Sequence, residues 1–194
     1  FSLRSEGSQG VGDFGDLSLL ANFAATAGMH AIQLLPIYDT TQTHTWSDCY
    51  PYSAISIYAL HPMYADLRQL PRLHSRDVMS RFETRAAQLN ALPQVDYEGV
   101  NQLKHDYLQM LYAQEGPTVM ASDDYRKYYA ENEDWLLPYT AFCLLRDQYG
   151  TSDFRQWPEC SVYQPGEIRL IAEHRSKETG YYAFVQYILD KQLK

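Results

Sequence analysis

Ala31-Ile32-Gln33-Leu34-Leu35-Pro36 is a short, almost wholly apolar run closed by a proline. A run of this length and pattern predicts a strand buried on both faces, as in a parallel sheet. Upstream, Leu17, Leu20, Ala24 and Ala27 recur at helical spacing, and Leu19 and Phe23 widen the stripe. Asp13 or Asp16 can cap that helix at its start. Gly28 stands where a helix-ending glycine belongs. Residues 4–15, with Gly7, Gly10, Gly12 and Gly15, read as a loop, and Phe1-Ser2-Leu3-Arg4 reads as extended. The order is strand, loop, helix, strand. That is a βαβ unit, and its parallel strands imply the α/β class. In such folds ligands meet the loops that leave the carboxyl ends of strands. Residues 4–15 and 37–54 are therefore the candidate loops.

The second of these holds most of the chemistry. It contains Trp46-Ser47-Asp48-Cys49-Tyr50-Pro51-Tyr52-Ser53 in an otherwise polar stretch. Aromatic faces stack on the apolar faces of pyranose rings, and hydroxyls and carboxylates meet sugar hydroxyls. Most of the 17 tyrosines, such as Tyr107, Tyr112, Tyr128, Tyr139 and Tyr187, lie in helical patterns and read as core. Trp46, Tyr50 and Tyr52 do not. Asp13 and Asp16 read as helix caps, Asp39 and Asp48 as loop hydrogen-bonding groups. A retaining glycosidase needs two carboxyl groups ~5–5.5 Å apart, a distance that spacing along the chain cannot show.

Other chemistries find no motif. His44 and His61 are isolated, so no metal site is expected. Three cysteines without paired spacing make neither a disulfide framework nor a zinc signature, and Cys143 reads as core. Gly10-Val11-Gly12 lacks the third glycine of a dinucleotide loop, and no P-loop or G-x-S-x-G elbow is present. No cofactor is expected. The net charge of −8 and the scattered Arg72, Arg76, Arg81 and Arg85 argue against a nucleic-acid partner. No apolar run has membrane-spanning length, so no membrane partner is expected, and a reducing cytoplasm is the expected location.

From residue 71 the pattern turns helical, over 75–91, 98–114 and 122–150, with a turn expected at Glu115-Gly116-Pro117. Residues 151–166 look irregular, and a last helix is expected from near Pro165. The expected division is 1–70 as the first βαβ part of a barrel with substrate-binding loops, 71–160 as a helical insertion, and 161–194 as a return helix. A complete barrel takes ~250 residues. With 194 residues, a first residue Phe1 and a final helical pattern without a stop signal, the chain reads as part of one.

Several blocks then resemble one family. Ser2-Leu3-Arg4-Ser5, Gly10-Val11-Gly12-Asp13-Phe14, Gln33-Leu34-Leu35-Pro36, Asp39-Thr40-Thr41 and Tyr50-Pro51-Tyr52-Ser53 follow one another as in amylomaltase-type 4-α-glucanotransferases, glycoside hydrolase family 77. His61-Pro62 and Asp66-Leu67 continue that order, and the later blocks Glu131-Asn132-Glu133-Asp134-Trp135-Leu136, Thr151-Ser152-Asp153 and Gln156-Trp157 are most similar to the branch with plant cytosolic disproportionating enzymes. The resemblance implies the N-terminal part of a (β/α)8 TIM barrel. It also implies transfer of α-1,4-glucan segments by retaining double displacement, with maltooligosaccharides and a glucose acceptor as partners. The family's catalytic Asp, Glu and Asp are expected after the matched region, so no catalytic residue is placed here and the piece is expected to be inactive alone. Tyr52 matches the tyrosine that lies against the sugar beside the scissile bond. Pro51 would fix its loop, and Ser53 and Asp48 would reach sugar hydroxyls. Trp46 and Tyr50 complete the candidate substrate-binding set, Tyr50 standing where many amylomaltases have Ser. The alternatives are a glycan-binding module without chemistry and a helical interaction module built on 71–150.

Overall fold

Helix α1 (Phe14–Thr26) starts at Asp13. The Asp13 carboxylate accepts the Asp16 amide, and the Asp16 carboxylate accepts the Asp13 amide, which is a capping box with Asp in the usual Glu position. The helix ends at Gly28, at φ +75°. The Gly28 and Met29 amides donate back to the Ala25 and Ala24 carbonyls, a Schellman motif that needs a residue comfortable at positive φ. This computed structural model describes residues 3–194; Phe1 and Ser2, the start of the expected extended segment, lie outside the described residues.

The strand expected at 31–35 does not form. Among the described residues there is no β-strand, and the only pairing outside helices is an isolated antiparallel bridge between Tyr38 and Leu60. Instead of being covered on both faces, Leu34 and Leu35 are exposed, Leu35 by 63%. The α/β class and the N-terminal part of a TIM barrel are therefore corrected: the described chain is almost entirely helical. The physical reason is that a strand exists only against a neighbour's backbone. An apolar run supplies side chains for a sheet but no partner, and 31–36 meets none here. The chain instead folds back on itself, the Asp39 amide donating to Ala59 O at 2.8 Å and the His61 amide to Ile37 O at 3.0 Å.

Five more helices follow: α2 (Arg76–Asn90), α3 (Tyr97–Met120), α4 (Asp123–Tyr149), α5 (Pro165–His174) and α6 (Ser176–Leu193). The first three of these open on Ser75, Asp96 and Ser122, whose side chains each accept the amide three residues on. The turn expected at 115–117 is absent, because α3 runs through Pro117 to Met120. Val119, beyond the proline, still packs against the core. Packing of the half-buried Val119 and Met120 outweighs the hydrogen bond that proline removes.

Helix α6 packs against both α3 and α4. Its Tyr181, Phe184, Val185, Ile188 and Leu189 meet Tyr107, Leu108 and Leu111 of α3, Phe14 of α1, and Leu60, Ala65, Leu67 and Leu73 of the connecting segment. That segment has no sheet to satisfy its backbone, and buried backbone groups must find partners. Two glutamines of α6 supply them. Gln186 accepts from the Leu60 amide and donates to the Leu60 carbonyl, both at 2.8 Å. Six residues on, Gln192 does the same for Asp66, again at 2.8 Å for both bonds. Each side-chain amide stands in for one peptide unit of a neighbouring strand.

Candidate functional site

The loop that carries the candidate residues is built around two buried aspartates. Asp39, 1% exposed, accepts the Thr41 amide and hydroxyl on Oδ1 and the Tyr139 hydroxyl on Oδ2, the last at 2.7 Å. The Asp48 Oδ2 atom accepts three successive amides, those of Gln42, Thr43 and His44, at 2.8–3.0 Å. Its other oxygen accepts the Thr43 hydroxyl. The Thr40 hydroxyl donates to the Asp48 carbonyl at 2.5 Å, and Gln42 Nε2 to the Ser53 carbonyl at 3.1 Å. A short polar segment thus folds on its own side chains. Three N–H donors converging on one carboxylate oxygen make a turn that a neutral residue at 48 could not hold as well.

On this base the aromatic residues face outward. Trp46 opens a 3-10 turn over Trp46–Cys49, with its amide donating to Glu98 Oε1 at 2.9 Å and its ring edge-on to Tyr97 at 5.9 Å. Tyr50 and Tyr52 lie 5.5 Å apart, ring centre to ring centre. Trp46, Tyr50 and Tyr52 are 55%, 59% and 62% exposed. Ser53 is exposed, and Pro51 is half-buried on a cavity of about 400 Å³ that it shares with Leu34, Leu35 and Tyr64. Asp48 differs from its neighbours, because its side chain turns into the loop, where both oxygens are engaged. The structure therefore brings Tyr50, Tyr52 and Ser53 to one exposed turn, with Trp46 on the adjacent turn and Asp48 beneath.

The remaining carboxylates are also engaged. Asp16 accepts the Ser5 and Ser8 hydroxyls at 2.5 and 2.6 Å. Asp13 accepts Arg68 Nη2 at 3.1 Å, and its Oδ2 faces Lys104 Nζ at 3.9 Å without a hydrogen bond. Burial drives Asp13 up to about 6 against the pull of Lys104. Burial also drives Lys104 down to about 8 against the pull of Asp13. His61 is buried; its Nδ1 accepts the Met63 amide at 3.1 Å, and burial holds it below the ordinary histidine range. That bond holds the turn at Pro62–Tyr64. Among the described residues no group of three or more His, Cys, Asp or Glu is arranged to hold a metal ion. Among them, too, no helix is long and apolar enough to cross a membrane.

Sequence reading did not find the groups behind the loop. A cleft of about 340 Å³ between loop and helices is lined by His44, Lys104, His105, Tyr139, Arg146 and Asp147, among others. Arg146 is 4% exposed and donates to the Thr41 carbonyl at 2.8 Å. A signal was available: Arg146-Asp147 directly follows the apolar stretch Phe142-Cys143-Leu144-Leu145, in the part of its helix that is mostly buried. A charge in such a place needs a partner.

The sequence profile of the 4-alpha-glucanotransferase family, glycoside hydrolase 77, matches residues 1–194. A protein described as 4-alpha-glucanotransferase DPE2, from Oryza sativa subsp. japonica, is 38% identical over 197 residues, which cover 100% of this chain and 21% of that protein. The 4-alpha-glucanotransferases of Chlamydia caviae and Chlamydia trachomatis are each 28% identical, again over the whole chain and over 36% of their own length. The chain spans between about a fifth and a third of the length of these relatives.

Proposed function

Because the chain belongs to the 4-alpha-glucanotransferase family, we propose that residues 46–53 bind α-1,4-glucans and maltooligosaccharides. The reaction served is the transfer of glucan segments to a sugar acceptor such as glucose, by retaining double displacement. The observation that carries this reading is the exposure of Trp46, Tyr50 and Tyr52 on a loop whose backbone is tied down by Asp39 and Asp48. Large aromatic rings left in water cost free energy unless a ligand covers them. A rigid loop lets them meet a sugar without a large ordering cost. Tyr52 and Tyr50 would stack on glucose rings, Ser53 would bond a hydroxyl, and Pro51 and Asp48 would hold the loop in shape.

The engagement of Asp13, Asp16, Asp39 and Asp48 favours one refinement. This chain binds glycans without itself breaking a bond, as a glycan-binding module does. The division of labour follows: 1–70 presents the ligand loop, 71–160 supports it, and 161–194 closes the core.

Titration with maltoheptaose, followed by calorimetry, tests the reading. Saturable binding is expected. Tyr52→Ala should weaken it about tenfold or more, the order of ~1.4 kcal/mol, with thermal stability nearly unchanged because the ring is exposed. Equal affinity in the variant would remove Tyr52 from the site. Incubation with maltotriose should yield no glucose and no longer oligosaccharides from this chain; their appearance would show that it holds a catalytic group.

A further inference from the structure

Besides the contacts Trp46 makes with Glu98 and Tyr97 of α3, the ligand loop is held from behind by α4. At ~100° per residue, Trp135, Tyr139 and Arg146 of α4 fall within about 40° of one another, with Asp147 on the flank. Each touches the segment that carries the aromatic residues. Trp135 stacks beneath Tyr58 at 5.9 Å and 21°. Tyr139 donates to Asp39, and Arg146 Nη1 to the Thr41 carbonyl. Asp147 Oδ1 meets His44 Nε2 at 2.8 Å across 103 residues of sequence.

Asp147 is itself fixed. Arg146 Nε donates to it at 2.7 Å and the Tyr182 hydroxyl of α6 at 2.8 Å. Burial opposes its ionisation, but hydrogen bonds from His44, Arg146 and Tyr182 outweigh that and hold it well below the usual carboxylate range. His44 is under strain. Its φ is +59°, in the left-handed region that a residue with a Cβ enters at a cost. Two bonds keep it there: its amide to Asp48 and its ring to Asp147. Strain of this kind persists only where the surroundings over-determine it.

We propose that α4 is the positioning element of the glucan-binding loop and that His44 and Asp147 are its latch. Neither residue contacts the sugar. They fix where the turn bearing Trp46, Tyr50 and Tyr52 stands before ligand arrives, so the cost of ordering it is met in folding and not in binding. This rests on the glucan reading of the loop.

The decisive variant is His44→Gly, which removes the latch and also relieves the positive φ. Hydrogen exchange at the Gln42, Thr43 and His44 positions, melting temperature and maltoheptaose affinity are measured together. We expect faster exchange in the loop, unchanged or slightly higher melting temperature, and affinity about five- to tenfold weaker, the order expected for ordering one or two side chains on binding. His44→Gln, which can reach Asp147 again, should restore much of both affinity and protection. Weaker binding with unchanged exchange would overturn the latch in favour of a direct contact by His44. Faster exchange with unchanged affinity would overturn the positioning role. If the unaltered chain binds no maltoheptaose, the glucan reading falls, and unchanged exchange in His44→Gly would separately overturn the latch.

Discussion

Lys104 is 1% exposed, with a 2.6 Å hydrogen bond to the Ala65 carbonyl and the Asp13 carboxylate 3.9 Å away. The two charges oppose burial in opposite directions. Asp13, raised to about 6, stabilises the fold fully below its unfolded value of 3.8 and loses that contribution as pH rises through 6. Lys104, lowered to about 8, contributes above 10.5 and loses that as pH falls through 8. Between pH 6 and 8 both are ionised and both penalties stand. Lys104→Met leaves Asp13 with Arg68 as its cation and the Ala65 carbonyl without its donor, and should cost ~1–3 kcal/mol at pH 7. The cost should shrink below pH 6, as Asp13 takes up a proton. Asp13→Asn added to Lys104→Met keeps the helix cap and removes the buried charge, so it should recover part of the loss at pH 7, the Ala65 carbonyl staying without its donor. Urea titrations of the three proteins at pH 5 and 7 check this; equal losses at both pH values would mean that Asp13 does not titrate there.

At the scale of elements, α6 does for the segment 60–66 what a neighbouring strand would otherwise do. Gln186 is 2% exposed, so in Gln186→Ala both the amide and the carbonyl of Leu60 lose their partner in a buried place. At ~1–3 kcal/mol for each orphaned group, the loss should be about 2–5 kcal/mol by chemical denaturation; under 1 kcal/mol would show that water replaces the side chain. Gly10 makes a second such point. It sits at φ +91°, and a Cβ there would lie 2.8 Å from Leu89 Cβ and from Val100 Cγ2. Gly10→Ala should therefore cost ~2–4 kcal/mol through overpacking and backbone strain together. A melting curve that is unchanged would mean the loop shifts freely off α2 and α3. The start and stop of α1 were legible from Asp13 and Gly28, because capping is local chemistry. The continuation of α3 through Pro117 was not, because what decides it is the packing of half-buried Val119 against a core assembled from distant segments.

At the scale of the whole molecule, several apolar side chains in the first 35 residues are uncovered. Leu3, Leu19, Phe23, Leu34 and Leu35 are all large, apolar and exposed, and Leu3, Leu34 and Leu35 line the cavity of about 400 Å³ beside Pro51. Apolar surface of this extent invites association. Leu34→Lys with Leu35→Lys should reduce dye binding to apolar surface and light scattering at high concentration, with stability within about 0.5 kcal/mol of the parent because neither side chain is in the core. Scattering that does not change would place the sticky surface elsewhere. The candidate site was legible in part at this scale: an unusual density of aromatics in a polar loop singled out Trp46, Tyr50 and Tyr52, and all three stand in solvent. Asp48 was read as a loop hydrogen-bonding group and is one; which amides it accepts was not legible, since nothing in its neighbours shows which way a carboxylate will turn.

The order of residues alone determined the cap of α1, the helical character of the stretch from residue 75 to 150, the aromatic character of 46–52 and membership in the 4-alpha-glucanotransferase family, all of which depend on neighbours along the chain or on similarity along it; the stripe expected on α1 was not among them, since Leu19 and Phe23 are exposed. Only the tertiary structure decided that 31–36 is not a strand, that the buried Asp39 carboxylate takes the Tyr139 hydroxyl, and that α4 stands behind that loop through Tyr139, Arg146 and Asp147. The reason is common to all three. A ladder, a buried carboxylate and a clamp across a hundred residues are each defined by a partner remote in sequence, and local pattern carries no record of which partner arrives.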